Sequence, residues 1–468
     1  MNGDGIQNDD KKPTLMHTSK DTNINKKTSK EVKVSKVPSS RLSRASKIGG
    51  FAGGLAINAL GQTAKQLFNA QRPNLKSNLL TTNNATSLAA RLSEMRGAAM
   101  KVGQMLSMDA GEFLPPEWEP ILATLRQGGD RMPKSQLLDM LQSHWGHDWV
   151  KHFSYFSFEP IASASIGQVH KARLKNGECL AVKVQYPGVA DSIHSDVANI
   201  ARLIKLSGMI PKGFKLDDIL AQATEQLQTE ADYLQEADYI DSFRQHLAES
   251  PHFVLPEVYR PLSNKHILCM RFIEGEPIES ITTLSVEVRQ QVMEHLFELL
   301  LHEIFDFKLV QSDPNFANFQ FVPETAQIAL LDFGACKKLP TSTTANYKRL
   351  ALAMLHQSKN DIEAAMRNLQ LIHAGMPEDV SSTILSASLM ASECLQSETY
   401  HFKETALIQR LYSATKSLMS RQRDIEPPDF NIALVNRKVS GMVLLANKMQ
   451  CPVSLRALVS KFDDGDKT

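Results

Sequence analysis

Two short loops in the C-terminal half of the chain constrain its fold more than any other feature. The first loop contains Asp313 and, five residues later, Asn318; the second is the run Asp332-Phe333-Gly334. Carboxylate and amide oxygens are ligands that Mg²⁺ accepts, and Mg²⁺ neutralises the charge of bound phosphate groups. A fold that uses these residues together must bring the two loops to one point.

The spacing of these residues is typical of protein kinases, which carry H-R-D-x-x-x-x-N followed by D-F-G. Asp313 then falls on the catalytic base, Asn318 on one Mg²⁺ ligand and Asp332 on the residue that bridges the metal ions. Two features differ from that pattern. Gln311-Ser312 replaces His-Arg, and no A-P-E follows Gly334, which leaves little room for an activation loop. A normal groove for a peptide substrate is therefore not expected.

A segment of small residues upstream falls on the kinase phosphate loop, G-x-G-x-x-G-x-V, with Ala in place of the first two glycines. Small residues let backbone N–H groups approach phosphates. Because Ala disfavours the positive φ that Gly tolerates, we expect a stiffer loop than in a protein kinase. The predicted nucleotide-binding residues of this segment are Ala162, Ser163, Ala164, Ser165, Gly167 and Val169.

The strand that follows carries a lysine among apolar residues. Leu180-Ala181-Val182-Lys183 falls on the V-A-I-K motif, after a hairpin turn predicted at Asn176-Gly177. A buried lysine needs a partner, so we expect its ammonium group on the nucleotide phosphates, held by a helix carboxylate. Glu236 and Glu230 are both candidates for that carboxylate. The simpler alternative is an edge-strand lysine that reaches water.

The pattern of apolar residues predicts an α+β chain. Helices are predicted over residues 86–108, near 117–127 and 134–144, and over 189–208 and 216–248. The periodicity changes at Phe153, and a strand, a turn and a second strand are predicted over residues 156–186, with another short strand over residues 266–272. Met270 and Glu274, at the end of that last strand, are further predicted nucleotide-binding residues. After about residue 285 the chain is predicted to be helical except for the motif loops.

The first 50 residues differ from the rest in composition and charge. They hold eleven Lys or Arg against five Asp or Glu, a net charge of +6 in a chain whose total is +1. Residues 1–40 are polar and predicted to be disordered. Residues 41–60, three cations followed by a Gly- and Ala-rich segment, could dock at an anionic membrane surface or pack on the protein as a helix.

Other classes of protein receive no support from the sequence. No run approaches the length needed to span a bilayer, and basic residues are not interleaved with aromatic ones as in nucleic-acid-binding proteins. No secretory signal is visible in the first 40 residues, and their acidic residues argue against a transit peptide. The cysteines lie at least 57 residues apart, which favours a reducing compartment over a disulfide scaffold or zinc site: Cys179, Cys269, Cys336, Cys394 and Cys451.

Four motifs together resemble the UbiB-type atypical kinase-like family, which is associated with coenzyme Q biosynthesis, and most closely its mitochondrial and proteobacterial branch. The resemblance extends from about Arg41 to the C-terminus. The motifs are K-x-G-Q at residues 101–104, the Ala-rich loop ending at residues 165–170, E-x-D at residues 230–232, and Asp313-Pro314-Asn315 with Asn318-Phe319.

The resemblance implies a bilobal protein-kinase-like α+β fold with an N-terminal helical extension. In that arrangement the K-x-G-Q helix covers the site where a protein substrate would dock, and Lys101 and Gln104 reach toward Glu230 and Asp232 at the nucleotide. The implied segments are a disordered basic tail (1–40), the helical extension (41–150), a small β-containing N-lobe (151–273) and a mostly helical C-lobe (274–468). The implied catalytic residues are Lys101, Gln104, Lys183, Glu230, Asp232 and Asp313.

The family further implies binding of ATP or ADP with Mg²⁺, and slow ATP hydrolysis or small-molecule phosphorylation linked to quinone-pathway lipids. The implied partners are an anionic membrane surface and enzymes of coenzyme Q biosynthesis. The implied location is the bacterial cytoplasm at the inner membrane, or the matrix side of mitochondria. Ser163 stands where the family usually has Ala, which adds a hydroxyl near the phosphates. A nucleotide-sensing scaffold without turnover is the alternative, and a conventional protein kinase is less favoured.

Overall fold

One antiparallel sheet organises the N-terminal part of the chain. The computed structural model describes residues 96–109, 131–206, 216–313, 315–419 and 429–463. Numbered in chain order, the strands of this part are β1 (Phe153–Ala164), β2 (Gly167–Leu174), β3 (Cys179–Gln185), β4 (Phe253–Val254) and β5 (Ile267–Arg271). All except β4 form the sheet, in the order β1-β2-β3-β5 with every neighbour antiparallel.

Two tight hairpins build this sheet. The turn between β2 and β3 contains Asn176-Gly177, where Gly177 has a φ of 95°, a conformation that glycine tolerates without strain. The predicted hairpin is thereby confirmed. The turn between β1 and β2 is Ser165-Ile166, with Ala164 paired to Gly167. The small-residue segment is therefore strand, turn and strand, and none of its residues has a positive φ.

Five helices accompany the sheet in the described residues. They are α1 (Arg96–Asp109), α2 (Lys134–Trp145), α3 (Val189–Leu206), α4 (Leu216–Glu230) and α5 (Tyr233–His246). The prediction of one continuous helix over residues 216–248 is wrong, because the chain leaves helical geometry at Asp232, with φ −108° and ψ 93°. The Asp232 carboxylate then accepts the N–H groups of Leu234 and Gln235, which caps α5.

The C-terminal part is mostly helical, as predicted, but five short strands that the periodicity did not reveal surround the motif loops. A strand of two to four residues is too short to show an alternating pattern. The strands are β6 (Glu276–Pro277), β7 (Leu309–Gln311), β8 (Phe319–Val322), β9 (Gln327–Leu330) and β10 (Cys336–Lys338). They form a β7–β10 pair and a second sheet in the order β4-β9-β8-β6.

The remaining helices follow in chain order around these strands. The first, α6 (Val286–His302), continues into one π-helical turn, Glu303–Phe307, before β7. After β10, helices joined by loops make up most of the described residues. These helices are α7 (Thr341–Leu355), α8 (Lys359–Asn368), α9 (Glu378–Ala391), α10 (Leu407–Met419), α11 (Phe430–Met449) and α12 (Leu455–Ser460).

Helix α1 belongs to the same hydrophobic core as the sheet and the later helices. Its residues Val102 and Leu106 are fully buried, and the helix packs against α3 and α4. Burial of apolar surface stabilises this arrangement by roughly 25 cal/mol per Å². The predicted helices at 86–95 and 117–127, the tail at 1–40 and the proposed membrane segment at 41–60 lie outside the described residues. Among the helices that are described, none combines the length and hydrophobicity that crossing a bilayer requires.

Candidate nucleotide-binding site

A cavity of about 580 Å³ lies between the four-stranded sheet and the motif loops. Its volume is in the range of small-molecule and cofactor sites. Most of the residues predicted from sequence to bind nucleotide or metal line it together. These residues are Ala162, Ser163, Ala164, Ser165, Val169, Lys183, Met270, Glu274, Asp313, Asn318 and Asp332.

Lys183 on β3, which lines the cavity, forms a buried ion pair with Glu236 on α5. Lys183 Nζ donates to both carboxylate oxygens, at 2.8 and 2.9 Å, and lies 3.6 Å from Asp332 Oδ1. Of the two carboxylates that the sequence left open, Glu236 is therefore the direct partner. Burial opposes a charge on Lys183, but Asp332 and Glu236 outweigh it and hold the lysine pKa well above its usual value.

The carboxylates around Lys183 differ in their ionisation. Burial raises the pKa of Glu236 to about 7, against the lowering effect of the Lys183 ammonium. For Asp332, burial is outweighed by Lys183 and by the N–H group that Gly334 donates to Oδ1, so its pKa lies below the usual range. Asp332 is therefore an anionic oxygen ligand facing the cavity at neutral pH.

A second buried lysine, Lys101, reaches the site from α1. Its side chain is 3% exposed, and Nζ lies 2.5 Å from Glu230 Oε1 and 3.6 Å from Asp313 Oδ2. Burial again opposes the charge, while Glu230, Asp313 and Asp332 outweigh it and raise the lysine pKa. Lys101 thus places a permanent positive charge beside Asp313, the residue in the position of a kinase catalytic base.

The expectations about the E-x-D and K-x-G-Q motifs have different outcomes. Asp232 caps α5 instead of meeting Lys101, because its carboxylate is engaged by the N–H groups of Leu234 and Gln235. Glu230 ends α4 and pairs with Lys101, as the family resemblance implies, and it is not the partner of Lys183. The side chain of Gln104 lies outside the described part of the chain.

Gly167 is required by close packing at the end of the turn, and it does not line the cavity. A Cβ atom there would lie 2.3 Å from the Val184 carbonyl oxygen and 2.9 Å from Tyr233 Oη. This glycine therefore lets β2 approach β3 and α5, while its contact with a nucleotide phosphate stays a prediction.

The donor set fits Mg²⁺ that binds together with a nucleotide. Asn318 and Asp332 both line the cavity, and Asn318 Nδ2 donates to the Asp313 carbonyl oxygen at 3.3 Å. Within the described ranges no group of three or more His, Cys, Asp or Glu side chains is arranged to hold a metal. Mg²⁺ is commonly held by one or two protein oxygens, waters and substrate phosphates, so such a preformed group is not needed.

Several residues of the cavity were not predicted from sequence. Met100 enters from α1, and its signal was its place directly before the K-x-G-Q motif. Phe272 and Ile273 lie between two predicted residues, so the strand exit as a whole could have been assigned to the site. Pro256 and Gln320 carry no motif that would have identified them. All five line the cavity.

Comparisons with known proteins agree with the fold and the motifs. The model of the ABC1 atypical kinase-like domain matches residues 124–366. The chain is 34% identical to the mitochondrial atypical kinase COQ8B of Danio rerio, over 92% of this chain and 70% of that protein. It is 33% identical to the mitochondrial atypical kinase COQ8 of Saccharomyces cerevisiae, over 90% and 84%.

A solved structure has the same overall architecture. The Mycobacterium tuberculosis protein Rv3197, determined in complex with erythromycin, superposes with a TM-score of 0.57 at 25% sequence identity, over 81% of this chain and 95% of that one. The α+β kinase-like fold predicted from sequence is thereby confirmed, and so is the UbiB-type resemblance. The chain belongs to the ABC1 atypical kinase-like family.

Proposed function

We propose that this protein binds Mg-ATP or Mg-ADP in the cavity and acts as an atypical kinase-like ATPase or small-molecule kinase that supports ubiquinone biosynthesis. The observation that carries the proposal is the convergence of Lys183, Asp332, Asn318 and Asp313 on one cavity of about 580 Å³. These side chains supply the cation, the anionic and amide oxygens and the base that phosphoryl transfer requires.

Each of these residues has a distinct task in the proposed mechanism. The Lys183 ammonium, fixed by Glu236, binds the nucleotide phosphates. Asp332 and Asn318 would hold Mg²⁺, which supplies charge neutralisation when bound. Asp313 orients an attacking hydroxyl group or water and accepts its proton. Lys101 restrains Asp313 electrostatically, because its ammonium lies 3.6 Å from Oδ2.

The position of α1 favours a small acceptor over a protein substrate. Lys101 reaches Asp313 and Met100 lines the cavity, so part of the space near the catalytic base is taken by the protein itself. A water molecule or a small lipid-linked acceptor needs less room than a peptide segment. This geometry supports ATP hydrolysis or small-molecule phosphorylation over conventional protein phosphorylation.

The biological setting is proposed from the relatives. The zebrafish and yeast relatives are named mitochondrial atypical kinases. We extend that location to this protein, on the matrix side, with quinone-pathway lipids, an anionic membrane surface and enzymes of coenzyme Q biosynthesis as its partners. A nucleotide-sensing scaffold is the second candidate, and the observation in its favour is the Lys101 charge beside Asp313.

The test is Mg-ATP hydrolysis by the purified protein, with and without anionic liposomes that contain a quinone-like lipid. Asp332→Asn removes the anionic oxygen while keeping the side-chain shape, so turnover should fall by about 100-fold or more. Asp148→Asn, an exposed carboxylate paired with Lys151, is the matched control and should keep full activity.

Two results would count against the proposal in different ways. Tight nucleotide binding without turnover in any lipid condition would favour the scaffold. Fast phosphorylation of several unrelated proteins would contradict the argument from α1 and favour a conventional kinase. Lipid-stimulated turnover that Asp332→Asn abolishes would support an ATPase that works at a membrane surface.

A further inference from the structure

A second cluster of buried charged groups lies beside the loop that carries Asp313. Lys438 on α11 and Glu303 in the π-helical turn have side chains that are each 2% exposed, and their charged atoms are 3.1 Å apart. Burying two charges is expensive unless further hydrogen bonds satisfy them. The third member of the cluster, Gln311 at the end of β7, supplies those bonds. We call Lys438, Glu303 and Gln311 the loop anchor.

Both main-chain polar groups of Gln311 contact the ion pair. Lys438 Nζ donates to the Gln311 carbonyl oxygen at 2.8 Å and to its side-chain Oε1 at 3.1 Å. The Gln311 N–H group donates to Glu303 Oε2 at 3.2 Å. Gln311 is therefore fixed by a cation at its carbonyl group and by an anion at its N–H group. These contacts join positions 127 and 8 residues away in sequence.

The backbone that begins at Glu303 follows an unusual path. Residues 303–307 form a π-helical turn, a rare conformation that is common at functional sites. The turn ends at Lys308, a non-glycine residue with a φ of 53°. Such conformations persist only where surrounding contacts over-determine them. The contacts of Glu303, the first residue of the turn, with Lys438 and Gln311 are among those that hold this segment.

The loop anchor continues directly into the candidate site. Ser312, the next residue, donates its N–H and hydroxyl groups to the Ala335 carbonyl oxygen, at 3.1 and 2.6 Å, just after the Asp332-Phe333-Gly334 run. Asp313 follows and lines the cavity. The two residues before Asp313 are thus fixed to α11, to the π-helical turn and to the second motif loop.

In protein kinases the positions of Gln311 and Ser312 carry His and Arg, and a phosphorylated activation loop is ordered by arginine contacts. We propose that Lys438 and Glu303 are positioning residues that replace this device: their buried ion pair holds Gln311, and through it Ser312 and Asp313, permanently in their working geometry. The inference rests on the proposed function of Asp313 in the cavity. It implies that the catalytic loop needs no phosphorylation to become ordered.

The test uses a double variant, because Lys438→Met alone leaves Glu303 buried without its cation and is expected to destabilise the fold. Lys438→Met with Glu303→Leu removes both charges and keeps apolar volume. Hydrogen exchange should become about tenfold faster in peptides covering residues 311–318 and stay unchanged in the β2–β3 hairpin. Turnover should fall by about 10- to 100-fold. ADP affinity should stay within about twofold, since Lys183 and Glu236 are untouched.

Tyr347→Phe is the matched control for a general loosening of α11. The Tyr347 hydroxyl bonds to the Ile432 carbonyl and to Asn436 on that helix, so the variant disturbs α11 without touching the loop anchor. It should leave exchange at residues 311–318 and turnover unchanged. A stable double variant with wild-type exchange in that segment would overturn the inference. If the wild-type protein showed no turnover, the proposed ATPase activity would be refuted. The role of the loop anchor would still be tested, because hydrogen exchange at residues 311–318 does not depend on turnover.

Discussion

At the scale of single residues, the site is defined by two buried lysines that remain charged. Lys183 and Lys101 come from different elements, and each has a carboxylate within 3 Å and a second one at 3.6 Å. In both, the carboxylates overcome the cost of burial and raise the lysine pKa. Glu236 fixes the Lys183 ammonium from within the protein, and in the proposed function that ammonium binds the nucleotide phosphates. Lys101 places its positive charge 3.6 Å from the Asp313 carboxylate.

Asp232 offers a direct test of its role as a helix cap. Asp232→Ala removes the acceptor for the N–H groups of Leu234 and Gln235 and should lower the free energy of unfolding by about 1 kcal/mol. Asp232→Asn keeps an acceptor oxygen and should unfold like the wild type, with unchanged nucleotide affinity. Urea unfolding and ADP titration of both variants measure this. A loss of nucleotide binding in Asp232→Asn would restore the catalytic role that the family resemblance implies.

The buried ring of His170 should make the free energy of unfolding depend on pH below neutrality. Burial lowers its pKa to about 4, and the neutral ring donates from Nδ1 to the Ser157 carbonyl and accepts the Gln168 amide at Nε2. Between the unfolded pKa of about 6.5 and the folded pKa of about 4, the unfolded chain binds more protons, so stability falls as pH falls. The loss between pH 6.5 and pH 5 should be about 2 kcal/mol.

Urea unfolding at a series of pH values checks this contribution. His170→Gln should remove most of the pH dependence in that window, whatever its effect on stability at neutral pH. His147→Gln, at an exposed position, should reproduce the wild-type dependence. If the His170→Gln and wild-type curves ran parallel, another group would have to account for the acid sensitivity.

At the scale of elements, the sequence predicted the site best where a motif lies inside one element. Lys183 in β3 and Asp332 after β9 were assigned by local pattern alone. Sequence alone could not decide whether Glu230 or Glu236 pairs with Lys183. The two glutamates lie on separate helices because the chain leaves helical geometry at Asp232, and the continuous helical pattern showed no sign of that break. Lys438 had no local signal at all, because its partner Gln311 lies 127 residues away.

Helix α1 and the β1–β2 turn meet at a position that only glycine fits. A Cβ atom on Gly97 would lie 2.2 Å from the Ser165 carbonyl oxygen and 3.1 Å from Ile166 Cγ2. Gly97→Ala should push α1 away from the turn, at a cost of about 1–3 kcal/mol, because backbone cannot yield as a flexible side chain can. Hydrogen exchange of residues 98–106 should rise accordingly.

Gly375→Ala is the control for this change. The nearest atoms to a Cβ at Gly375 belong to the His373 ring at 3.5 Å, an ordinary contact, so exchange should not change anywhere in α1. Unaltered exchange over residues 98–106 in Gly97→Ala would mean that the helix and the turn adjust together. In that case the close approach would not determine how α1 is held at the cavity.

At the scale of the whole molecule, the cavity couples nucleotide binding to the stability of both parts of the chain. Its walls come from the four-stranded sheet, from α1 and from the motif loops near β7 to β9. A ligand that bridges these elements binds the folded state alone. At a concentration about 100 times its dissociation constant, it should add about 2.7 kcal/mol to the free energy of unfolding.

Mg²⁺ should be necessary for most of the stabilisation by nucleotide. Asn318 and Asp332 are the proposed ligands within the described residues, and Mg²⁺ held by so few protein oxygens needs the phosphate oxygens of the nucleotide. Without the ion, the anionic Asp332 carboxylate would repel the phosphates. Thermal unfolding with ADP or ATP should therefore show a clear rise in Tm with Mg²⁺ and a small one with EDTA. Mg²⁺ alone should leave Tm unchanged. An equal rise with EDTA would show that Lys183 alone holds the phosphates and that Asp332 does not act as a metal ligand.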